Sequence, residues 1–274
     1  MIDVRTDFRL LHEEPGAFII PNPWDIGTAR ILAALGFKAL ATTSAGMAFS
    51  YGVAEGQTSR EVVLNHCGTL VSATSLPVSA DLEKGFGDSP ESAGETVVAA
   101  ADIGLAGCSL EDHTGDPSNP IYDFSLAVER IQAACEAKTA LAHDFVFTAR
   151  CENFMWGKAD LDDTIRRLQA FEAAGADVLY APGLKDLDTI RTVCQAVSKP
   201  VNVVMGLPGT TFSFDELASA GVKRISVGSA LARLAYGAFV TAAREMATGG
   251  TFRFAERAMS FSELESFFTG TAKP

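Results

Sequence analysis

Asp81 and Glu83 stand two residues apart, where the apolar run Leu76-Pro77-Val78 gives way to Gly85-Phe86-Gly87. Side chains two apart along a strand share a face, so both carboxylates reach the same side as the strand ends. Like charges held together repel, and a hard divalent cation with oxygen ligands is one way to neutralise them. A solvated turn carrying surface acids is the other reading of the same stretch. The glycines let the backbone turn sharply, and Ser89-Pro90 has the form of a helix start. Other short apolar runs also end in reactive side chains. Thr42-Thr43-Ser44-Ala45-Gly46, Glu111-Asp112-His113, Arg150-Cys151-Glu152-Asn153, Tyr180 and Asn202 all sit at or near such ends.

Composition narrows what these groups can serve. The chain has 274 residues, 47% of them hydrophobic, enough for one large α/β domain or two smaller ones. A net charge of -12 and a pI near 4.8 argue against nucleic acid as the main partner. They leave room for an anionic substrate, because a bound metal and one Arg reverse the local field. No apolar run reaches membrane-spanning length, and Met1-Ile2-Asp3-Val4-Arg5 has no apolar signal core. Five cysteines with no C-x-x-C suit reduced thiols. A cytoplasmic protein with no membrane partner is expected.

The elements that must position the reactive groups follow from a repeated pattern. A helix-like segment, a Gly and an apolar run recur around Gly36, Gly104, Gly175 and Gly221. Gly past a helix end takes the left-handed cap conformation, and the chain then enters a strand. Each gap between these glycines holds one more strand and helix, so the pattern predicts eight alternating units. The predicted strands are Phe18-Ile20, Ala39-Thr42, Val78-Asp81, Gly107-Glu111, Val146-Arg150, Val178-Tyr180, Val201-Val204 and Arg224-Val227. Most lack polar alternation, as parallel strands buried on both faces do. The fold class is therefore α/β, a (β/α)8 TIM barrel over 1-248. An open doubly wound sheet is disfavoured by the missing G-x-G-x-x-G turn. A helix predicted over Ser229 to Met246 breaks at Gly249-Gly250. The aromatic tail 249-274 forms an extra C-terminal helical segment, packed on the barrel or on a neighbouring subunit.

Barrel enzymes carry their chemistry at the C-terminal strand ends. There the sequence gathers Asp81, Glu83, Glu111, Arg150 and the Ser44-Ala45-Gly46 turn. The chain resembles the phosphoenolpyruvate mutase/isocitrate lyase superfamily over nearly its whole length. The resemblance rests on Pro21-Asn22-Pro23-Trp24-Asp25, Thr43-Ser44-Ala45-Gly46, Tyr51-Gly52 with Glu55, Asp81-Leu82-Glu83-Lys84-Gly85-Phe86-Gly87, Leu110-Glu111-Asp112, Ala149-Arg150 and Ala174-Gly175-Ala176-Asp177. It implies a magnesium-dependent carbon–carbon lyase, with Mn2+ as a substitute ion. The substrate would be a 2-oxo acid or 2-hydroxy diacid, and the reaction would pass through a metal-stabilised enolate. Asp81 would hold the ion directly or through water, and Glu83, Glu111 and Glu55 would complete its shell. Arg150 would clamp a substrate carboxylate, Ser44 with the Ala45 and Gly46 amides would hold other oxygens, and Asn202 would meet the far carboxylate. Arg150, Glu111 and His113 form the catalytic set. A homo-oligomer, dimer or tetramer, is expected.

Departures from the family pattern bear on the reaction. The acid pair is usually D-x-D, and here it is Asp81-x-Glu83. Lyases of the family carry a K-[KR]-C-G-H loop after the fourth strand and a Glu after the sixth. This chain has Glu111-Asp112-His113-Thr114-Gly115 and Ala181-Pro182-Gly183 there. Phosphonate-handling members put a Lys and an Asn in that loop, where only Asn119 stands. His113 is the imidazole available as a proton carrier, and Cys151 reads as structural. A P–C bond enzyme, a catalytically silent 2-oxo acid-binding barrel and a phosphate-binding barrel (Met205 to Gly209 with Val227 to Ser229) remain alternatives. The segment 112–123 is long for a strand-to-helix connection and has a lid's composition, or it is an ordered surface loop.

Overall fold

The computed structural model describes residues 3–272. The first element is a helix outside the eight units read from the sequence, α1 (Val4–Glu13). The order then runs β1 (Phe18–Ile20), α2 (Ile26–Ala34), β2 (Leu40–Ala41), α3 (Ser44–Ser50), α4 (Arg60–Ala73), β3 (Val78–Asp81), α5 (Pro90–Asp102) and β4 (Gly107–Glu111). It continues with α6 (Phe124–Thr139), β5 (Val146–Arg150), α7 (Leu161–Ala173), β6 (Val178–Tyr180), α8 (Leu187–Ala196), β7 (Val201–Val204), α9 (Phe214–Ser219) and β8 (Arg224–Ser226). A longer helix, α10 (Ala230–Arg244), follows, then a π-helical turn Glu245–Gly249, a 3-10 turn Arg253–Arg257 and α11 (Phe261–Thr269). Eight parallel strands in the order β1-β8-β7-β6-β5-β4-β3-β2 make the expected (β/α)8 barrel.

The seam between β1 and β2 closes by single contacts rather than by a ladder. The Ala41 N–H donates to Pro21 O at 3.0 Å, and the Asn22 amide donates to Thr42 O at 2.9 Å. The Asn22 carbonyl accepts from the Val227 and Gly228 amides, which draws the end of β8 to the same point. Pro21 and Pro23 lack an N–H, so β2 is shorter than the predicted Ala39-Thr42. Strand β8 likewise stops one residue early, at Ser226.

Helix α1 closes the N-terminal end of the barrel. Phe8 is fully buried among Ile20, Ala39, Ala106, Val146 and Val178, where the strands begin. Gly107 leaves room for that ring: a Cβ there would meet the Phe8 ring at 3.1 Å and the Val146 carbonyl at 2.3 Å. Arg9 ties the helix down through Asp144 at 2.8 Å and Asp177 at 3.3 Å. With the floor sealed, the C-terminal mouth is the end left for a ligand. Helix α11 lies against α2, while α10 carries Leu234 and Phe239 about 70% exposed.

Candidate active site

Four carboxylates meet at the mouth, and each arrives by a different device. Asp81 ends β3. Glu83 lies beyond the strand with φ 49, a left-handed conformation that non-glycine residues enter at a cost of order 1 kcal/mol. Phe86 repeats this at φ 59. The loop holding both is fixed from behind by Arg130 of α6. That buried guanidinium donates to Lys84 O, to Gly87 O at 2.8 Å and to Ser89 O at 3.1 Å. Glu111 ends β4, and its N–H donates to Glu83 O at 3.0 Å. Glu55 comes from the exposed segment between α3 and α4, with its carboxylate turned inward to Ser44 Oγ at 2.5 Å.

The electrostatics follow from this crowding. Burial, with the charges of Asp81, Glu111 and Glu55, pushes Glu83 up to about 8. Burial and the Asp81 charge also hold Glu55 above the usual carboxylate range. Ser44 Oγ lies 3.0 Å from Asp81 Oδ2 as well. One hydroxyl proton cannot serve two carboxylates at once, so Ser44 Oγ donates to Glu55 or to Asp81 and sits between the two acids.

Arg150, at the end of β5, is the cation in this ring. Its Nη1 lies 3.3 Å from Glu111 Oε2 and 3.7 Å from Asp81 Oδ1, and its Nε donates to Glu152. Burial alone would favour the neutral form; Glu152, Glu111 and Asp81 overcome it and raise Arg150 well above its ordinary value. Glu152, stated from sequence only as a strand-end residue, is buried and bonded at every turn. It holds Arg150 and accepts from Trp156 Nε1 at 3.1 Å, while its own N–H donates to Asp112 at 2.7 Å. Asp112 faces away from the mouth, paired with Arg167 at 3.1 Å.

His113 stacks flat on Trp156, with centroids 3.9 Å apart and planes 9° apart. Its Nδ1 lies 3.7 Å from Glu111 Oε1, and its buried Nε2 has no partner among the described residues. The segment that follows is an ordered excursion: His113 bridges Ile121, Thr114 N–H donates to Pro120 O, and Tyr122 N–H to Asp112 O. Asn119 sits at its exposed tip. Cys151 is fully buried, and burial raises its thiol well above the ordinary value, as a structural residue requires.

Two groups of predicted contact residues have partners within the protein. Ser44, Ala45 and Gly46 form the first turn of α3 rather than a free turn, and the Gly46 amide donates to its cap, Thr43 Oγ1, at 3.2 Å. Asn202 lies deeper, inside the barrel. Its amide donates to Ser226 Oγ at 3.1 Å, and its carbonyl accepts from Arg224 Nε at 2.8 Å. Sequence reasoning missed Trp156, Arg130 and Arg224 altogether. For Arg224 the signal was present: a cation inside a strand that should be apolar on both faces.

Among the described residues no group of three His, Cys, Asp or Glu forms a ready-made inner coordination shell. The acids nonetheless fit a cation held through one carboxylate and several waters, which is how magnesium is commonly bound. Burial and the neighbouring acids disfavour the charge on Glu83, and a bound cation would relieve that repulsion.

A model of the phosphoenolpyruvate phosphomutase family matches residues 8–247. The crystal structure of a Burkholderia cenocepacia J2315 protein, provisionally assigned as a lyase/mutase, is 56% identical with a TM-score of 0.94, covering 98% of this chain and 96% of that one. The 2-methylisocitrate lyase of Shewanella oneidensis (strain MR-1) is 34% identical over 200 residues, 69% of this chain and 67% of that protein. The oxaloacetate decarboxylase of Marinomonas sp. (strain MWYL1) is 25% identical over 274 residues, 96% of this chain and 93% of that protein. With its motifs on the strand ends of one closed barrel and a family match over most of its length, the chain belongs to the phosphoenolpyruvate mutase/isocitrate lyase superfamily.

Proposed function

We propose that the chain is a magnesium-dependent lyase that cleaves a C–C bond in, or decarboxylates, a 2-oxo acid or 2-hydroxy diacid. The observation that carries this reading is the ring of Asp81, Glu83, Glu111 and Glu55 gathered around Arg150 at one barrel mouth. Asp81 would hold the ion, and Glu83, Glu111 and Glu55 would reach it through water; Mn2+ suits the same oxygen donors. When bound, the cation supplies Lewis-acid stabilisation of charge developing on the substrate oxygen.

The chain's own residues do the rest. Arg150, held at Nε by Glu152, offers its remaining N–H groups to a substrate carboxylate. Ser44 and the Ala45 amide face the oxygens beside it, and Gly46 joins them if its amide leaves Thr43. His113 carries a proton at Nε2, with Glu111 near its other nitrogen. The stacked Trp156 keeps water from that side. The relatives named for 2-methylisocitrate, a tricarboxylate, and oxaloacetate, a 2-oxo diacid, point toward small acids with more than one carboxylate. All five cysteines are free, which supports placement in the reducing cytoplasm. The exposed apolar side chains of α10 support a homo-oligomer, dimer or tetramer.

The test is release of pyruvate or glyoxylate from a panel of 2-hydroxy and 2-oxo diacids, with magnesium and with chelator. Metal-dependent release of either product supports the lyase. The family match to phosphoenolpyruvate phosphomutase favours a second reading, P–C chemistry, so phosphonopyruvate belongs in the panel. Binding without turnover of any member would leave the silent barrel.

A further inference from the structure

A barrel interior is ordinarily filled by layers of Val, Ile and Leu. Here the interior below the mouth is polar. A cavity of about 60 Å³ is walled by Asp81 and Arg150 toward the mouth and by Asn202, Ser226 and Arg224 deeper in. Arg224 is a buried cation surrounded by neutral groups. Its Nε donates to Asn202 Oδ1 at 2.8 Å, Nη2 to Thr148 Oγ1 at 2.9 Å and Nη1 to His12 Nε2 at 3.3 Å. No carboxylate lies within ion-pair distance of it among the described residues. His12 cannot supply countercharge: it donates Nδ1–H to Phe8 O, and burial with the Arg224 charge lowers its pKa to about 3. A guanidinium has five N–H groups, and these contacts use three. A buried charge without a counter-ion is strongly disfavoured. Burial lowers Arg224 to about 10, so it remains charged at neutral pH.

We propose that Arg224, with Asn202 and Ser226 beside it, forms an interior subsite that receives the second carboxylate of a small dicarboxylate substrate. The inference rests on the reading of the mouth as an oxo-acid site and adds the direction in which the substrate lies: one carboxylate on Arg150, the other pointing down the barrel axis. Spacing supports it. Arg224 is bonded to Thr148, and Arg150 is two residues further along the same strand on the same face. Two residues of strand span about 7 Å, a gap that a three- or four-carbon diacid bridges. The neutral partners fit as well. Asn202 and Ser226 hold the guanidinium in place without cancelling its charge, which leaves that charge for an incoming anion.

The experiment compares binding of malate and lactate by calorimetry at saturating magnesium, to wild type, Arg224→Gln and Arg224→Lys. The two acids share the metal-facing hydroxy acid and differ in the second carboxylate. A charge-assisted hydrogen bond is worth roughly ten- to a hundredfold in affinity, so wild type is expected to prefer malate by about that factor. Arg224→Gln is expected to abolish the preference while leaving lactate within about twofold. Arg224→Lys keeps the charge but loses the fork, and a partial preference is expected; it carries the test should the Gln variant fail to fold. Equal binding of both acids by wild type, or an unchanged malate preference in a folded variant, overturns the subsite. So does equal weakening of both acids, which would make Arg224 a tie between α1 and the barrel. If wild type binds neither acid, the reading of the mouth fails too, and the lactate arm separates that result from loss of the subsite alone.

Discussion

At the residue scale, the ring of acids around Arg150 sets which changes matter. Asp81→Ala removes the carboxylate best placed to hold an ion and should abolish magnesium binding by calorimetry, with the fold intact by circular dichroism. Arg150→Lys keeps the charge and loses the planar fork, so oxo-acid affinity should drop ten- to a hundredfold, on the order of 1.4–2.8 kcal/mol. Glu152→Gln should act through Arg150. It leaves the ring's charge count short of one acid that never faces the substrate, and it should raise the KM for the acid more than it lowers magnesium affinity. Much of this ring was legible in the sequence, because Asp81, Glu111 and Arg150 end short apolar runs and topology then brings strand ends together. Glu152 and Trp156 were not. Both lie in the one connection between β5 and α7, and their roles depend on that loop turning back so that its side chains meet the Arg150 guanidinium and the His113 imidazole, which no local spacing encodes.

At the element scale, the acid loop and the plug helix are the two parts whose geometry is maintained from elsewhere. Arg130 holds the loop carbonyls of Lys84, Gly87 and Ser89, and the left-handed Glu83 and Phe86 persist only while it does. Arg130→Met should weaken magnesium binding at least tenfold although the residue touches no ligand. Unchanged metal affinity in a folded variant would remove Arg130 from the site's support. In α1, Phe8→Ala should cost about 3–5 kcal/mol, the usual range for a buried aromatic, measured by denaturant titration. His12 gives a pH signature. Its folded pKa near 3 lies below the ordinary value of 6.5, so the unfolded chain binds its proton first. Stability is therefore full above pH 6.5 and falls as pH drops toward 3, by roughly 1.4 kcal/mol per unit. A His12→Phe variant should show a shallower acid limb. The strand boundaries were readable from apolar runs and the recurring Gly caps. Helix α1 was passed over although Val4, Phe8 and Leu11 recur at helical spacing behind the Asp3 cap; what the sequence does not show is that Phe8 is buried by strand starts far along the chain.

For the whole molecule, sequence reading anticipated an aromatic tail and a need for cover, and Leu234 and Phe239 of α10 are exposed together with Phe252 and Phe261 of the tail, so that need extends over both. Light scattering should find a dimer or tetramer, and Leu234→Glu with Phe239→Glu should shift it to monomer. A wild-type monomer at micromolar concentration would discard the oligomer. The net charge of -12 is compatible with the proposed anion site, because the acids at the mouth would themselves seat the cation. Binding of oxo acid should therefore require metal first, and a chelator should abolish it at any substrate concentration.

The plug also sets an order in time. Helix α1 leaves the ribosome before the strands it packs on, and Arg9 must wait for Asp144 and Asp177, 135 and 168 residues downstream. Contacts that distant carry a loop-closure cost that slows their formation. During synthesis the apolar strand starts stay open to water until β6 is complete. A chain that stalls or is truncated before Asp177 would then expose the same pocket that Phe8 later fills, which makes nascent fragments of this length natural clients for a chaperone that binds short apolar segments.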